Sequence, residues 1–354
     1  MCIRDRYKQI LTHGFIVDAD GKKMSKSIGN TVEPQQIQKQ YGIEILRLWS
    51  ASGDFTEDLR ISDEIIKGSV ETYRRLRNTF RYLLGALDGF TPDEAVARSE
   101  MPGLEQWVLH RLSEIDETVR AAYDVYDFKK IMAAIINFCA VDLSAVYFDI
   151  RKDSLYCDRP DELRRRAART VMDEVLLRLL TWLAPIMPFT TEEAFLMSRF
   201  GAGEGTSVHL LQFPETPADW SDPSLATRWE KIFAVRRTVT GALEIERREK
   251  RIGSSLEAAP EVYITDADLL KLVKSEHAAD LFITSGAVLK HADAPVGAFT
   301  LDDVEGVGVV PAKASGIKCA RSWKYFDPAK ASADYPDLTP RDAEAVRRFD
   351  KENR

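Results

Sequence analysis

The chain has 354 residues and a formal net charge of −7, from 49 Lys and Arg against 56 Asp and Glu. Hydrophobic residues make up 45% and charged residues 30%, which is ordinary for a globular protein and excludes disorder as the dominant state. The acidic balance excludes a polycation that coats nucleic acid by charge alone, but it permits a binder whose basic residues share one face.

The cysteines and the apolar segments predict a cytoplasmic protein. No C-x-x-C pair is present, which indicates neither a disulfide framework nor a complete zinc site; the cysteines are Cys2, Cys139, Cys157 and Cys319. The most apolar stretch, 175–189, is interrupted by Arg178 and is shorter than the ~20 apolar residues of a membrane span. Residues 1–20 are charged and lack an apolar core, so we expect neither a signal peptide nor membrane association.

The start of the chain predicts the end of a domain. Residues 7–18 indicate a strand entering a sheet and end in an Asp- and Gly-rich turn, whereas residues 1–6 (MCIRDR) show no such pattern. Because a domain rarely opens in mid-sheet, we expect that a preceding segment is missing; a short native arm is the alternative. A polar loop and two short helices follow, at 22–30, 34–40 and 43–51.

Long amphipathic helices come next and predict an antiparallel bundle. Apolar residues recur at three- and four-residue steps in four segments, at about 63–87, 104–123, 128–149 and 162–184. Thr190 and Glu193 fit a capping box, in which the Thr190 hydroxyl accepts from the Glu193 amide. Three tryptophans lie on apolar stripes and are expected in the core: Trp107, Trp182 and Trp229.

The last part of the chain predicts a small α/β domain. Asp222 and Pro223 cap a long charged helix at about 224–251. Strands and one further helix are expected around it, with strands at 208–213, 261–265, 281–284 and 306–310 and the helix at 267–276. The fold is therefore expected to be mostly α, with domains at 1–62, 63–215 and 216–354.

One loop carries a pattern suited to phosphate chemistry: Lys23, Met24, Ser25, Lys26 and Ser27. Two lysines three residues apart, bracketed by Gly21 and Gly29, can fold over a polyphosphate and offset its charge. Such a loop stabilises the charge that builds on the phosphates as pyrophosphate leaves. A solvated lysine turn is the alternative, but a specified five-residue string arises by chance only on the order of once in ten thousand chains of this length.

The string KMSKS is the signature of class I aminoacyl-tRNA synthetases, and its surroundings resemble the isoleucyl, valyl and leucyl group. The surroundings that resemble this group are residues 12–21 before the string and 29–30 after it, whereas further stretches are similar to isoleucyl-tRNA synthetases in particular: 41–49, 58–60, 73–79, 152–156 and 252–258. The resemblance extends from residue 7 almost to the C-terminus. It implies that residues 1–62 end a class I nucleotide-binding catalytic domain and that the bundle is an anticodon-binding domain.

The resemblance also implies a reaction and its partners. Lys26 would contact ATP with Lys23 in support, and Mg²⁺ would accompany ATP. Isoleucine and ATP would form isoleucyl-adenylate, from which the acyl group passes to tRNA(Ile), in a monomeric enzyme. A valyl-tRNA synthetase portion and a stand-alone tRNA-binding module without catalysis remain the alternatives.

Two departures from the family pattern carry expectations of their own. None of the five histidines forms a His-x-x-His pair, so we expect a C-terminal portion that is inactive alone. Many bacterial members end in a zinc site of two C-x-x-C pairs, but here only Cys319 remains, and 339–342 lacks cysteine. One thiolate cannot hold a structural zinc ion, so we expect no zinc and instead a terminal helix with Thr339 as N-cap and Pro340 in its first turn.

Basic clusters on the helices supply candidate tRNA contacts, although a solvated helix face is the alternative for each. An aromatic side chain near the C-terminus can stack an anticodon base, with core packing as its alternative. The candidates are Arg74, Arg77, Arg247, Arg248, Arg251 and Trp323. A further cluster, Arg164, Arg165, Arg166 and Arg169, is expected to be a solvated face.

Overall fold

The computed structural model describes residues 8–352, so the interpretation of residues 1–6 and of Tyr7 lies outside the described residues. The chain forms two compact units, each assembled from three stretches. The first unit contains Met1–Phe90, Leu112–Leu143 and Met172–Pro217, and the second contains Thr91–Arg111, Ser144–Val171 and Ala218–Arg354. The predicted domain boundaries at 62 and 215 stay a prediction.

Helix covers 57% of the chain, which confirms the mostly α class. The first half contains β1 (Ile16–Val17), α1 (Pro34–Tyr41), α2 (Ile43–Ser52), β2 (Leu59–Arg60), α3 (Asp63–Ala86), α4 (Gly103–Asp124), α5 (Phe128–Asn137), α6 (Phe148–Cys157) and α7 (Leu163–Leu183). The second half contains α8 (Pro188–Leu196), α9 (Pro223–Arg248), β3 (Glu261–Ile264), α10 (Ala267–Ser275), α11 (Ala278–Leu281), β4 (Val288–Lys290), β5 (Val307–Val310), β6 (Ile317–Lys318), β7 (Tyr325–Phe326) and α12 (Pro340–Glu352).

Local signals in the sequence start several of these helices as predicted. Pro34 occupies the first turn of α1, where its missing N–H costs nothing. The Asp222 carboxylate accepts from the Leu225 amide and caps α9. The Thr339 hydroxyl accepts from the Asp342 amide at 3.1 Å at the start of α12. These contacts satisfy backbone donors that a helix leaves unpaired at its N-terminus.

Three predicted elements are wrong. Segment 208–213 is not a strand but a 3₁₀ turn, Val208–Leu210, because the Ser207 hydroxyl accepts from the His209 amide and caps it. Segment 281–284 is not a strand either: Leu281 ends α11, and the buried run closes as a helical turn in which the Thr284 amide donates to Ala279. The helix expected at 128–149 extends to Cys157 through a π-helical stretch, Phe138–Tyr147.

The predicted capping box is also wrong, because the N-cap of α8 is Met187, three residues before Thr190, and the helix begins at Pro188. Thr190 instead lies buried in the helix, and its hydroxyl donates to the Glu44 carboxylate. Glu44 also accepts from the amides of Phe189 at 2.7 Å and Thr190 at 3.0 Å. A carboxylate from α2 therefore caps α8, from almost 150 residues away in the chain.

We expect Glu44→Ala to destabilise the first unit by about 2–3 kcal/mol, since it leaves buried donors at the start of α8 without a charged acceptor. Urea unfolding measures the change. Glu33→Ala is the matched control, because Glu33 is exposed and its side chain makes no cap hydrogen bond to α1. Equal stability of the two variants would contradict the role given to Glu44.

Each unit has its own core. In the first, Ile37, Ile45, Trp49, Ile61 and Ile66 form a buried cluster beneath α1, α2 and α3. In the second, β3 pairs in parallel with β4 and antiparallel with β5, and it places Val262 opposite Val309 with both side chains fully buried. The prediction that three tryptophans lie in the core is confirmed, since Trp107, Trp182 and Trp229 are at most 6% exposed.

By length and composition alone, the helical run Phe128–Cys157 is long and apolar enough to cross a membrane. A helix buried in a protein core passes the same test, and Ile131, Ile135 and Phe138 of this run are fully buried. Burial of these side chains in the protein core accounts for the apolar character of the helical run without a lipid environment.

Candidate functional site

The two lysines of the KMSKS string lie in an exposed loop, residues 22–30, which we call the lysine loop. Asp18 stabilises the turn that precedes the lysine loop. One of its carboxylate oxygens accepts from the amides of Asp20 at 3.1 Å and Lys22 at 2.8 Å. The other oxygen accepts from the Asn30 side-chain amide at 2.7 Å. The Asn30 hydrogen bond and the Lys22 amide hold the pKa of Asp18 below its ordinary value, so the carboxylate is charged at neutral pH.

Asn30 connects the two ends of the lysine loop to its middle. Its side-chain oxygen accepts from the Ser25 amide at 2.9 Å, and its nitrogen also donates to the Lys23 carbonyl at 3.3 Å. Gly29 takes φ = +73°, a conformation that glycine adopts without a steric cost, and so lets the loop turn back. The loop is therefore pre-formed by side chains outside the five-residue string.

Met24 anchors the loop to the body of the first unit, because its half-buried side chain packs against the cluster around Ile37 and Ile45. The hydroxyls of Ser25 and Ser27 lie 3.1 Å apart and hydrogen-bond to each other. Lys23 and Lys26 are exposed, and within residues 8–352 neither ammonium group has an ion-pair partner. The structure thus brings the five predicted residues into one loop with both cationic heads available to an anion.

The arginines on α3 differ in their availability. Arg74 is 70% exposed and lies 4.0 Å from Glu71, a surface pair of little strength. Arg77 instead makes a two-pronged contact with Glu193 at 2.7 and 3.0 Å. That contact raises the pKa of Arg77 and lowers that of Glu193. A phosphate would have to compete with this carboxylate for Arg77.

A second basic cluster lies where α9 ends, and all three of its candidate residues are exposed. Arg247 is 3.2 Å from Glu244, and Arg251 pairs with Glu246 at 2.6 Å. Within the described part of the chain, Arg248 has no ion-pair partner. The cluster is therefore partly neutralised, and Arg248 is its most available cation.

The arginines expected to form a solvated face are committed to internal contacts instead. Arg164 lies 3.0 Å from Asp158 and also contacts Asp280, and Arg169 lies 2.7 Å from Glu94. Arg169 is only 7% exposed. The solvated-face prediction is wrong for these two residues, because they pair with Asp280 and Glu94, which are distant in the sequence, and Arg164 also pairs with the nearby Asp158.

Trp323 is the exposed tryptophan of the chain. Its side chain is 61% exposed, whereas the other five tryptophans are at most 7% exposed. A cavity of about 470 Å³ lies beside it, lined by Tyr156, Leu256, Ile283 and Arg321 among others. An exposed indole next to a mainly apolar cavity is suited to stacking on a flat ring such as a nucleobase.

The four positions that resemble a zinc site come together, but their chemistry does not fit zinc. The Cys319 thiol donates to an Asp342 carboxylate oxygen at 3.1 Å, and the hydroxyls of Ser322 and Thr339 each donate to the same oxygen at 2.6 Å. A set with one thiol, two hydroxyls and one carboxylate lacks the N/S ligands of a structural zinc site. Burial raises the pKa of Asp342, but the hydrogen bonds from Ser322, Thr339 and Cys319 and the charge of Arg341 together outweigh it, and the pKa lies below its ordinary value.

Two of the structurally important residues were not predicted. Asn30 holds the lysine loop. The sequence signal that could have revealed this was the pair of Asp18 and Asn30, a carboxylate and an amide on either side of the KMSKS string. Asp342 was expected only in the first turn of a helix, because its partners Cys319 and Ser322 lie 20 or more residues away.

We expect Asn30→Ala to speed tryptic cleavage after Lys23 and Lys26 by roughly tenfold, since it removes the side-chain hydrogen bonds to Asp18, Ser25 and Lys23 that hold the lysine loop. Limited proteolysis of the chain measures the rate. Asn78→Ala is the control, because Asn78 lies exposed on α3. An Asn30 variant that is cleaved no faster than the control would show that the loop needs no such support.

Two sequence families match the chain. Residues 2–62 match the family described as tRNA synthetases class I (I, L, M and V), and residues 105–264 match the anticodon-binding domain of tRNA ligase. Isoleucine–tRNA ligases of Brucella abortus and Bartonella henselae are 52% and 51% identical over 97% and 96% of this chain. The chain spans about a third (35%) of the length of each of these relatives. The LeuRS–tRNA–LeuAMS complex of Agrobacterium radiobacter K84 overlaps 59% of this chain and 24% of its own, at 16% identity and a TM-score of 0.47.

Proposed function

Because the chain belongs to the class I tRNA synthetases, we propose that it supplies the ATP loop and the tRNA-binding domain of an isoleucine–tRNA ligase. The observation that carries the proposal is the lysine loop: it is pre-formed by Asp18 and Asn30, and it presents two lysines without internal partners among the described residues. A binding module without catalysis needs no such loop. The 51–52% identity to isoleucine–tRNA ligases favours isoleucine over valine as the amino acid.

In the proposed reaction, the isoleucine carboxylate attacks the α-phosphorus of ATP, and pyrophosphate leaves as isoleucyl-adenylate forms. Lys26, supported by Lys23, offsets the negative charge that grows on the β- and γ-phosphates, and the Ser25 and Ser27 hydroxyls can donate to phosphate oxygens. Mg²⁺ enters with ATP and shares the phosphate charge. The acyl group then passes to the 3′-terminal adenosine of tRNA(Ile), which releases AMP.

We propose that phosphates of the tRNA backbone bind the exposed arginines on α3 and at the end of α9: Arg74, Arg77, Arg247, Arg248 and Arg251. Arg74 and Arg248 are the strongest candidates, because no close carboxylate holds them. Arg77 and Arg251 would exchange a carboxylate for a phosphate at little net gain. Each phosphate contact adds to the salt dependence of binding, so substitution of Arg74 or Arg248 should reduce that dependence more than substitution of Arg77.

Exposed apolar side chains beside the lysine loop support a role within a larger enzyme. Phe15 is 79% exposed, Ile28 70% and Ile16 48%. Exposed apolar groups of this size can contact further protein. The relatives have almost twice as much additional sequence as this chain provides, which can supply that contact.

The test is a chimaera in which this chain replaces the 344 matching residues of the Brucella abortus isoleucine–tRNA ligase. We expect the chimaera to charge tRNA(Ile) with isoleucine in an ATP-dependent reaction. A chimaera that folds and binds tRNA but forms no isoleucyl-adenylate would support the stand-alone binding module instead. Preferential activation of valine would support the valyl alternative.

We further propose that the chain folds without zinc, as a monomer in the cytoplasm. Its described cysteines, Cys139, Cys157 and Cys319, are all buried as free thiols, which fits a reducing compartment. We expect elemental analysis of purified protein to find far less than one zinc ion per chain, and a strong chelator to leave the unfolding midpoint unchanged. Stoichiometric zinc, with a midpoint lowered by the chelator, would contradict this.

A further inference from the structure

A short loop near the C-terminus, residues 319–324, presents one large side chain, that of Trp323, to solvent, and we call it the tryptophan loop. Its backbone closes on itself: the Cys319 amide donates to the Lys324 carbonyl at 2.8 Å, and the Trp323 amide donates to the Cys319 carbonyl at 3.0 Å. Trp323 takes φ = +62°. A bulky side chain rarely adopts this left-handed conformation, so neighbouring contacts must hold it.

The charged side chains of the tryptophan loop make hydrogen bonds or ion pairs with neighbouring parts of the second unit. The Lys324 ammonium lies 2.6 Å from Asp280 and 3.2 Å from Asp153. The Arg321 guanidinium donates to the carbonyls of Cys157 at 2.6 Å and Tyr156 at 2.9 Å. These contacts fix the loop against the second unit and leave the indole on the outside.

Asp342 is the group that ties the two ends of the loop together. Its carboxylate is fully buried and accepts from Cys319 at the start of the loop and from Ser322 next to Trp323. It also accepts from Thr339, which caps α12. The Asp342 carboxylate thus hydrogen-bonds to both residues that fix the Trp323 backbone. These are Cys319, whose carbonyl accepts from the Trp323 amide, and Ser322, which precedes Trp323. The same carboxylate also holds the first turn of α12.

We propose that Asp342 is a positioning residue for RNA binding: it holds Trp323 in the orientation that stacks on a base of tRNA, by hydrogen bonds in place of a metal ion. This inference rests on the proposed function, because it takes tRNA as the ligand of Trp323. The Lys318 ammonium lies over one face of the indole ring, 5.7 Å from its centre, and leaves the other face for a base. Loss of one stacked base weakens binding on the order of tenfold.

Binding of a tRNA(Ile) transcript to the full chain tests the inference, with Asp342→Asn compared with Asp334→Asn. Both substitutions remove one negative charge from the C-terminal region, so they alter long-range attraction to RNA alike. The Asp334 side chain is 74% exposed, and among residues 8–352 its ion-pair partner is Arg347, at 3.7 Å, whereas Asp342 is buried. We expect Asp342→Asn to weaken binding by about tenfold and Asp334→Asn to leave binding unchanged or slightly stronger.

The fluorescence of Trp323 distinguishes a positioning role of Asp342 from a purely structural one. A purely structural role would leave the protection of Trp323 by bound RNA unchanged. Since the other five tryptophans are buried, acrylamide quenches chiefly Trp323, and bound RNA should protect it in the unsubstituted chain. We expect that protection to be lost in Asp342→Asn. We also expect the double variant Asp342→Asn/Trp323→Ala to bind no more weakly than Trp323→Ala alone, because both changes remove the same stacking contact.

The outcomes separate the two proposals. If Trp323→Ala weakens binding but Asp342→Asn matches Asp334→Asn, or if the two losses add, the positioning role is overturned while the tRNA proposal stands. If the chain with intact Trp323 does not bind tRNA, both proposals fail. Circular dichroism establishes that Asp342→Asn is folded; if it is not, Ser322→Ala removes one of the hydrogen bonds and should give a smaller loss of the same kind.

Discussion

Replacement of Lys26 by methionine is expected to reduce isoleucine-dependent ATP–pyrophosphate exchange of the chimaeric enzyme by about 10²–10³-fold. Methionine keeps an unbranched side chain of similar length but removes the ammonium group. The physical reason is the loss of a cation aimed at charge that develops only in the transition state, an effect of that size for one pre-organised group. Since the same charge is weaker in the ground state, we expect kcat to fall much more than the KM for ATP rises.

Lys22→Met is the matched control for this substitution. Lys22 lies in the same loop and is similarly exposed, but its ammonium is 3.7 Å from Asp20. We expect this control to change exchange by less than about threefold, because its charge already has a neighbour. Equal losses for both variants would mean that the loop acts through its net charge, and no loss for Lys26→Met would remove Lys26 from the mechanism.

Removal of the Glu105 carboxylate is expected to cost about 3–5 kcal/mol of the free energy of unfolding of the second unit. Glu105 is fully buried, and both of its oxygens accept from the Arg151 guanidinium at 2.6 Å. The Tyr147 hydroxyl donates to the same carboxylate at 3.2 Å. Glu105→Ala therefore leaves a buried guanidinium without its counter-charge. Urea unfolding of the intact chain, followed by circular dichroism, measures the loss.

A surface pair in the same unit is the control for Glu105. Glu244 lies 3.2 Å from Arg247, and both side chains are more than half exposed, so Glu244→Ala should cost less than about 1 kcal/mol. The double variant Glu105→Leu/Arg151→Leu should recover part of the stability lost in Glu105→Ala, because it removes the uncompensated charge as well. If Glu105→Ala cost no more than Glu244→Ala, the buried pair would not be a main support of this unit.

The helices could be predicted from the sequence because their signals are local. Apolar residues at three- and four-residue steps indicated α3, and Pro34 and Asp222 marked where α1 and α9 begin. The lysine loop could also be predicted, since five adjacent residues and two flanking glycines define it. In each case the residues that determine the structure lie within a few positions of one another.

The errors about the partners of polar side chains have the opposite property. Thr190 was expected to cap its own helix, but the carboxylate that caps α8 comes from Glu44. Arg164 and Arg169 looked like a solvated face, but Asp280 and Glu94 neutralise them. The role of Asp342 likewise depends on Cys319, 23 positions earlier. A polar side chain can be placed on an element by local pattern, but its partner across the fold is set by packing that no local pattern contains.

We propose that this chain serves as the ATP-loop and tRNA-binding portion of an isoleucine–tRNA ligase. The most direct measurement is the charging of tRNA(Ile) by the chimaera that carries this chain in place of the matching residues of its Brucella abortus relative, with isoleucine and valine compared side by side. We predict ATP-dependent charging with isoleucine that is lost in Lys26→Met and kept in Lys22→Met. A folded chimaera that binds tRNA(Ile) without charging it, or that charges equally well after Lys26→Met, would contradict the account.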